Sequence, residues 1–139
     1  MTAKIAFDVD GLPVVQGNVR TSRTGHAYYP NGPALRPWRA SLAHAAREAM
    51  AGRDPLEGAV AVRVTFRLPR PRGHYRTAGG LRPSAPAFPD RRPDLDKLTR
   101  GLDALTAVVW RDDAQVVVLD VRKVYGVPGA AVEVMEWLD

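Results

Sequence analysis

The chain has 139 residues, of which 45% are hydrophobic and 25% charged, and this balance predicts one small globular domain spanning residues 1–139. It contains no cysteine, which excludes disulfide frameworks, thiolate zinc sites and iron–sulfur clusters. No apolar run is long enough for a membrane span and no secretory signal pattern begins the chain, so we expect a cytoplasmic protein. The net charge of +5 is compatible with a polyanionic partner.

The first half of the chain predicts a strand, a loop, a helix and a second strand. Residues 4–9 alternate loosely as a strand, and residues 17–37 have the Gly, Asn and Pro content of a loop. Pro37 suits the first turn of a helix over 37–51, with Arg39 and Arg47 facing outward. Residues 59–68 alternate between apolar and polar types as a half-buried strand. The helix buries one apolar stripe, formed by Trp38, Leu42, Ala45, Ala46, Ala49 and Met50.

The second half predicts a long loop followed by a helix and two strands. Residues 69–93 hold six of the twelve prolines and three glycines, so we expect a flexible loop. A helix over 94–107 and strands over 115–124 and 131–137 follow. The order β-α-β-loop-α-β-β predicts an α+β fold, a two-layer sandwich with two helices packed on one mixed sheet.

Most of the excess positive charge lies in the long loop. Residues 70–92 carry six arginines and one acid, Asp90, so this segment alone has the net charge of the whole protein. These side chains either belong to an ordinary solvated loop or hold an anionic polymer such as DNA. Arg63 and Arg67, on the polar face of the preceding strand, are further candidates. The loop arginines are Arg70, Arg72, Arg76, Arg82, Arg91 and Arg92.

Four aspartates follow the basic loop in two pairs. Asp94 and Asp96 lie two residues apart at the start of the second helix, and Asp112 and Asp113 precede the next strand. If the helix and a tight turn return the chain beside Asp94, three or four carboxylates converge and require a cation among them. A donor set of oxygens alone selects Mg²⁺ or Mn²⁺ rather than zinc. The alternative is that Asp94 or Asp96 caps the helix and Asp112-Asp113 forms a polar turn.

A different chemistry is suggested near the N-terminus. The segment Phe7-Asp8-Val9-Asp10-Gly11 resembles the nucleophile motif of haloacid-dehalogenase-type phosphatases, in which one Asp attacks phosphorus and the next acts as acid and base. The chain is short for that fold, and a strand ending in Asp-Gly is a common turn. This interpretation is therefore the weaker one.

Across most of its length the sequence resembles the RusA-type Holliday-junction resolvase family of small metal-dependent endonucleases. Weaker matches are Gly11–Gly17, similar to the family's N-terminal strand and turn, and Leu35–Arg39, similar to the entry to its first helix. The specific part of the resemblance is carried by Pro93-Asp94-Leu95-Asp96, Asp103-Ala104-Leu105 and Asp112-Asp113-Ala114-Gln115-Val116.

The resemblance implies a homodimer that binds four-way DNA junctions and nicks opposing strands with Mg²⁺. It assigns the metal to Asp94, Asp96 and Asp113, with Asp112 close by. The chain departs from the family pattern at Lys97, where the family often has Asn, and at Arg100, where it usually has Lys. The helix between Asp96 and Asp103 is also one residue shorter, which rotates later positions by about 100°. For that reason Asp103 is left out of the predicted site.

The resulting hypothesis is hydrolysis of a DNA phosphodiester. Asp94, Asp96 and Asp113 are the predicted catalytic carboxylates, and Arg100 is predicted to offset charge on the phosphate. The second hypothesis is a branched-DNA-binding protein without catalysis, and the third is the phosphatase acting through Asp8 and Asp10. The predicted DNA contacts are Lys97, Arg63, Arg67, Arg70, Arg72, Arg76, Arg91 and Arg92.

Overall fold

The structure, a computed structural model, describes residues 3–138 and contains a four-stranded mixed sheet with two α-helices. The strand order is β1-β6-β4-β5, and β4 and β5 are parallel while the other pairs are antiparallel. The predicted α+β fold is confirmed. No helix among residues 3–138 is both long and apolar enough to cross a bilayer. The elements are β1 Lys4–Asp10, β2 Arg20–Thr21, β3 Ala27–Tyr28, α1 Gly32–Met50, β4 Val60–Leu68, α2 Leu95–Arg100, β5 Val116–Tyr125 and β6 Gly129–Glu136.

The alternation predicted for β4 is confirmed, and it sets the core. Val64 lies opposite Val132 of β6 and Val121 of β5, and its side chain is fully buried. The neighbouring Phe66 is also fully buried. Because successive side chains of a strand point to opposite faces, all these residues lie on the face covered by the helices.

Helix α1 begins five residues earlier than the sequence predicted. It starts at Gly32, with a proline in its first turn, so Pro37 lies inside the helix rather than at its start. A proline inside a helix removes one backbone hydrogen bond, and the burial of an apolar stripe offsets that loss. The stripe is confirmed at its centre, where Trp38, Leu42 and Ala46 are buried.

The loop between β1 and α1 contains a short hairpin that the sequence did not predict. Strands β2 and β3 pair over two residues each, and all four residues are exposed. Segments this short, without an apolar face, leave no periodic signal in the sequence.

The second helix changes type partway along. It was predicted as one helix over 94–107, but α2 ends at Arg100 and a 3₁₀ helix, Gly101–Leu105, continues it. A 3₁₀ helix turns about 20° more per residue than an α-helix, so the three residues up to Asp103 add about 60°. This rotation contributes to the placement of Asp103 beside Arg39 and Gln16.

The face of the sheet away from the helices carries ion pairs rather than an apolar layer. Arg67 of β4 donates to both carboxylate oxygens of Asp8 on β1, at 2.7 and 2.8 Å. Arg63 pairs with Asp120 at 3.2 Å, and Lys4 pairs with Glu133 at 3.4 Å. Positive and negative side chains thus neutralise each other across this open face.

Gly129 occupies a position on the open face where no side chain fits. An added Cβ would collide with the backbone carbonyl of Val9 and with the guanidinium of Arg67. We expect Gly129→Ala to lower the free energy of unfolding by about 1–3 kcal/mol, because the backbone on the far side cannot give way. Gly126→Ala is the control, since its Cβ would meet Arg67 Cδ at an ordinary 3.5 Å. Equal urea midpoints for the two variants would contradict this account.

Candidate active site

Asp94 and Asp96 present exposed carboxylates at the start of α2. Asp94 is the N-cap residue, with an extended backbone and no side-chain capping hydrogen bond, so the interpretation of Asp94 as a simple cap is not supported. Its carboxylate lies 3.4 Å from Lys97 Nζ, and that of Asp96 lies 3.7 Å from Arg100 Nη2. The two side chains are 50% and 70% exposed, so both are accessible to an added cation.

Asp113 is held by the core. Its Oδ1 accepts hydrogen bonds from the Thr106 hydroxyl and from Trp110 Nε1, the latter at 3.1 Å. Trp110 is 2% exposed, so the indole that orients the carboxylate is itself fixed by packing. Within residues 3–138, Oδ2 has no hydrogen-bond partner and remains open to a ligand.

Asp112 has a structural role. Its Oδ1 accepts from the backbone N–H of Ala114 at 2.9 Å, which caps the short 3₁₀ helix Asp113–Gln115. Gln115 completes the capping box by accepting from the backbone N–H of Asp112 at 2.8 Å. These contacts agree with the alternative interpretation of Asp112 as part of a polar turn, because one of its carboxylate oxygens accepts a hydrogen bond within the turn.

The structure brings Arg100 and Asp113 to one cavity of about 210 Å³ between α2 and β5, which Asp103 also lines. Asp96 is linked to this cavity through its ion pair with Arg100. Asp94 lies at the opposite end of α2, because the crossover between parallel strands β4 and β5 carries the helix back along the sheet. Among residues 3–138, no three His, Asp or Glu side chains gather closely enough to hold a metal ion. The donor types still suit Mg²⁺, since all are carboxylates.

Asp103, which sequence reasoning left out, belongs to a side-chain network beside this cavity. Arg39 of α1 ion-pairs with Asp103 Oδ1, and Gln16 Nε2 donates to Asp103 Oδ2 at 3.2 Å. Arg39 also donates to Gln16 Oε1 at 2.6 Å, and Gln16 is only 8% exposed. The prediction that Arg39 faces outward was therefore wrong. No local pattern signals this network, because its members are 23 to 87 residues apart.

The segment 69–93, called the basic arm from here on, is tied to the end of the sheet. The Arg70 guanidinium lies 4.3 Å from the centre of the Tyr125 ring and donates to the Pro86 carbonyl at 2.8 Å. The His74 ring meets Tyr125 edge-on, with ring centres 5.5 Å apart. The Arg70 guanidinium is therefore engaged in contacts within the protein. The flexibility of the arm stays a prediction.

The remaining arginines of the basic arm differ from those of the open face. All are exposed, and none forms an ion pair among residues 3–138. Arg63 and Arg67 are paired, and the hydrogen bond to Asp8 raises the pKa of Arg67 further above its usual value. The arm thus carries more unpaired positive charge than the open face of the sheet does, while Arg63 and Arg67 stay predictions as DNA contacts. The free arm residues are Arg72, Arg76, Arg82, Arg91 and Arg92.

The Asp8–Arg67 pair also bears on the phosphatase hypothesis. Both carboxylate oxygens of Asp8 accept from one guanidinium, whose Nε donates to the Val127 carbonyl at 2.8 Å. A carboxylate clamped in this way is not free to attack phosphorus. The contacts therefore assign Asp8 to holding β1 against β4 and β6.

A family model described as endodeoxyribonuclease RusA matches residues 10–135 of the chain. A comparison of the chain with curated proteins found no match. The matched region contains the basic arm, both aspartate pairs and the cavity shared by Arg100 and Asp113.

Proposed function

The chain belongs to the RusA endodeoxyribonuclease family, and we propose that it resolves Holliday junctions by Mg²⁺-dependent hydrolysis of one phosphodiester in each of two opposing strands. The observation that carries this proposal is that unpaired basic side chains are followed closely along the chain by exposed acidic ones. Arg91 and Arg92 are exposed and form no ion pair within the described residues 3–138, and Asp94 and Asp96 follow closely with exposed carboxylates. A DNA backbone bound by the two arginines would therefore lie next to the two aspartates.

We assign Mg²⁺ to Asp94, Asp96 and Asp113, with Asp112 close by. Because Asp94 and Asp113 lie toward opposite ends of α2, this assignment requires the carboxylates to draw together around the cation when DNA and metal bind. The donor chemistry supports this assignment, since every candidate ligand is a carboxylate. Lys97 and Arg100 now compensate the charges of Asp94 and Asp96, a role that a divalent cation would take over. When bound, Mg²⁺ would supply Lewis-acid stabilisation of charge on the scissile phosphate.

The basic side chains of α2 have a second role once their acids bind a cation. Lys97 and Arg100 would then be released toward the phosphate and would offset the charge that develops on it. Arg100 lines the same cavity as Asp113, which supports a role for both residues at one phosphate. Because an arginine does not release a proton at neutral pH, its role is electrostatic and not acid catalysis.

Two symmetric cuts require two sites, so we propose a homodimer. The sheet supports pairing between copies, because β5 is an edge strand and exposes Val117 and Leu119 by 56% and 50%. We expect Val117→Lys to weaken dimerisation by about tenfold or more, since each copy loses one buried valine. Val127→Lys, at a 76% exposed turn position, is the control. Sedimentation that shows both variants equally dimeric would exclude β5 as the interface.

A specific observation favours the second candidate, a junction-binding protein without catalysis. Both acids at the start of α2 are already paired with Lys97 and Arg100. If these pairs persist on DNA, no cation enters and no strand is cut. Binding without cleavage in Mg²⁺ and Mn²⁺ alike would establish this candidate.

The proposed substrate is tested by comparing a labelled four-way junction with a linear duplex of the same arm sequences in Mg²⁺. We expect cleavage of the junction and none of the duplex. Equal cutting of both would replace junction resolution with a general nuclease activity.

A further inference from the structure

One cavity beside the basic arm has no part in the chemistry assigned so far. It has a volume of about 500 Å³ and lies where the basic arm meets the ends of β4 and β5. Its volume falls within the ~300–1,000 Å³ typical of small-molecule sites. Most of its wall is apolar and comes from the arm, from Leu12–Val15 and from the first turn of α1.

Two aromatic side chains line this cavity. Tyr125 and His74 both contribute to the wall, and they meet edge-to-face, so each holds the other in place. Arg70 stacks on Tyr125 but does not line the cavity, so it steadies the ring without filling the space. Rings fixed in this way form a stacking surface that needs no ordering when a planar ligand arrives.

The charge at the rim selects the class of ligand. Arg91 and Arg92 line the cavity, are exposed and have no ion pair among residues 3–138, so they are available to phosphate groups. One acid, Asp90, also lines it and disfavours an anion inside. A ligand with a planar apolar body and flanking phosphates matches both features.

We propose that this cavity receives an unstacked nucleobase of the branched DNA, with Arg91 and Arg92 holding the phosphates on either side. This inference rests on the proposed function, and it adds a second binding site for the same DNA substrate. Pro93 lines the cavity and directly precedes Asp94, so a base held here places the adjoining backbone at the start of α2. The bases at a branch point are the easiest to unstack, because they lack one stacking neighbour.

Photocrosslinking tests the proposal. Four-way junctions carrying 5-iododeoxyuridine at successive positions near the branch point are bound without divalent metal and irradiated, and the crosslinked peptides are sequenced. We expect crosslinks at Tyr125 or His74 from a position next to the branch. Crosslinks that map only outside the cavity would overturn the proposal.

A pair of variants on one helix separates the cavity from general effects on binding. Ala34 of α1 is exposed and lines the cavity, so Ala34→Phe fills part of it without removing a charge. Ala40→Phe is the matched control, an exposed alanine on the same helix that does not line the cavity. Since one stacked base contributes about 1–3 kcal/mol, we expect Ala34→Phe to weaken junction binding about fivefold to a hundredfold. Ala40→Phe should leave binding unchanged.

The outcomes distinguish this proposal from the proposed function. Junction cleavage together with unchanged crosslinks and affinity in Ala34→Phe would overturn the base site alone. A protein that neither binds nor cuts junctions would overturn both. Crosslinks that vanish on addition of a linear duplex would show that the cavity takes any frayed end, which contradicts a base at the branch point.

Discussion

We expect Asp94→Asn to remove junction cleavage, while junction binding in the absence of metal stays intact or tightens. The substitution keeps the size of the side chain and removes its charge, so the proposed Mg²⁺ loses a ligand and the DNA meets less repulsion. We expect the cleavage rate to fall at least about a hundredfold, since metal stabilisation of the transition state is worth several kcal/mol and each 1.36 kcal/mol is tenfold. Single-turnover cleavage and a binding titration in EDTA measure the two effects.

Asp54→Asn is the control for this experiment. Asp54 is an exposed acid after α1 that takes no part in the candidate site or in any ion pair among residues 3–138. Cleavage by this variant should match that of the parent protein. If Asp94→Asn cuts as well as Asp54→Asn does, the assignment of the metal to Asp94 is wrong.

The second large effect is expected from the free charges of the basic arm. The triple variant Arg72→Gln, Arg76→Gln, Arg82→Gln removes three exposed cations that have no ion pair among residues 3–138. Each phosphate contact contributes about 0.9 to the salt slope, so three contacts change it by about 3 and weaken binding about a hundredfold near 0.1 M salt. Titrations of a four-way junction across a salt series give both numbers.

Paired arginines are the matched control for the arm. Arg63→Gln, Arg122→Gln removes two cations of the open face that both pair with Asp120. Because the carboxylate of Asp120 neutralises one of these two positive charges, we expect a change in the salt slope below that of the arm variant. A larger effect from the open-face pair would move the DNA to the other side of the sheet.

The sequence predicted the sheet well because burial on one face leaves a period of two. In β4, Val60, Val62 and Val64 are buried and Arg63 is exposed, as the alternation indicated. The start of α1 was mispredicted because Pro37 is a strong boundary signal in the sequence, whereas in the structure the packing of α1 outweighs its missing hydrogen bond. The change to a 3₁₀ helix at Gly101 depends on tertiary packing that local propensity does not encode.

The candidate site was predictable by residue type and less so by arrangement. The two aspartate pairs stand out from spacing, and the structure places them at the two ends of the α2 region, with Arg100 and Asp113 sharing a cavity. The link between Arg39 and Asp103 was missed because it joins distant parts of the chain. Which arginines are free and which are paired also became visible only once the strands were in register.

The assignment of Mg²⁺ to the three aspartates is tested most directly by following a labelled four-way junction in Mg²⁺ and then with excess EDTA. It predicts paired nicks in opposing strands in Mg²⁺, none in EDTA, and recovery of cutting when Mg²⁺ is restored. Cleavage that persists unchanged in EDTA would contradict the assignment of a metal to Asp94, Asp96 and Asp113.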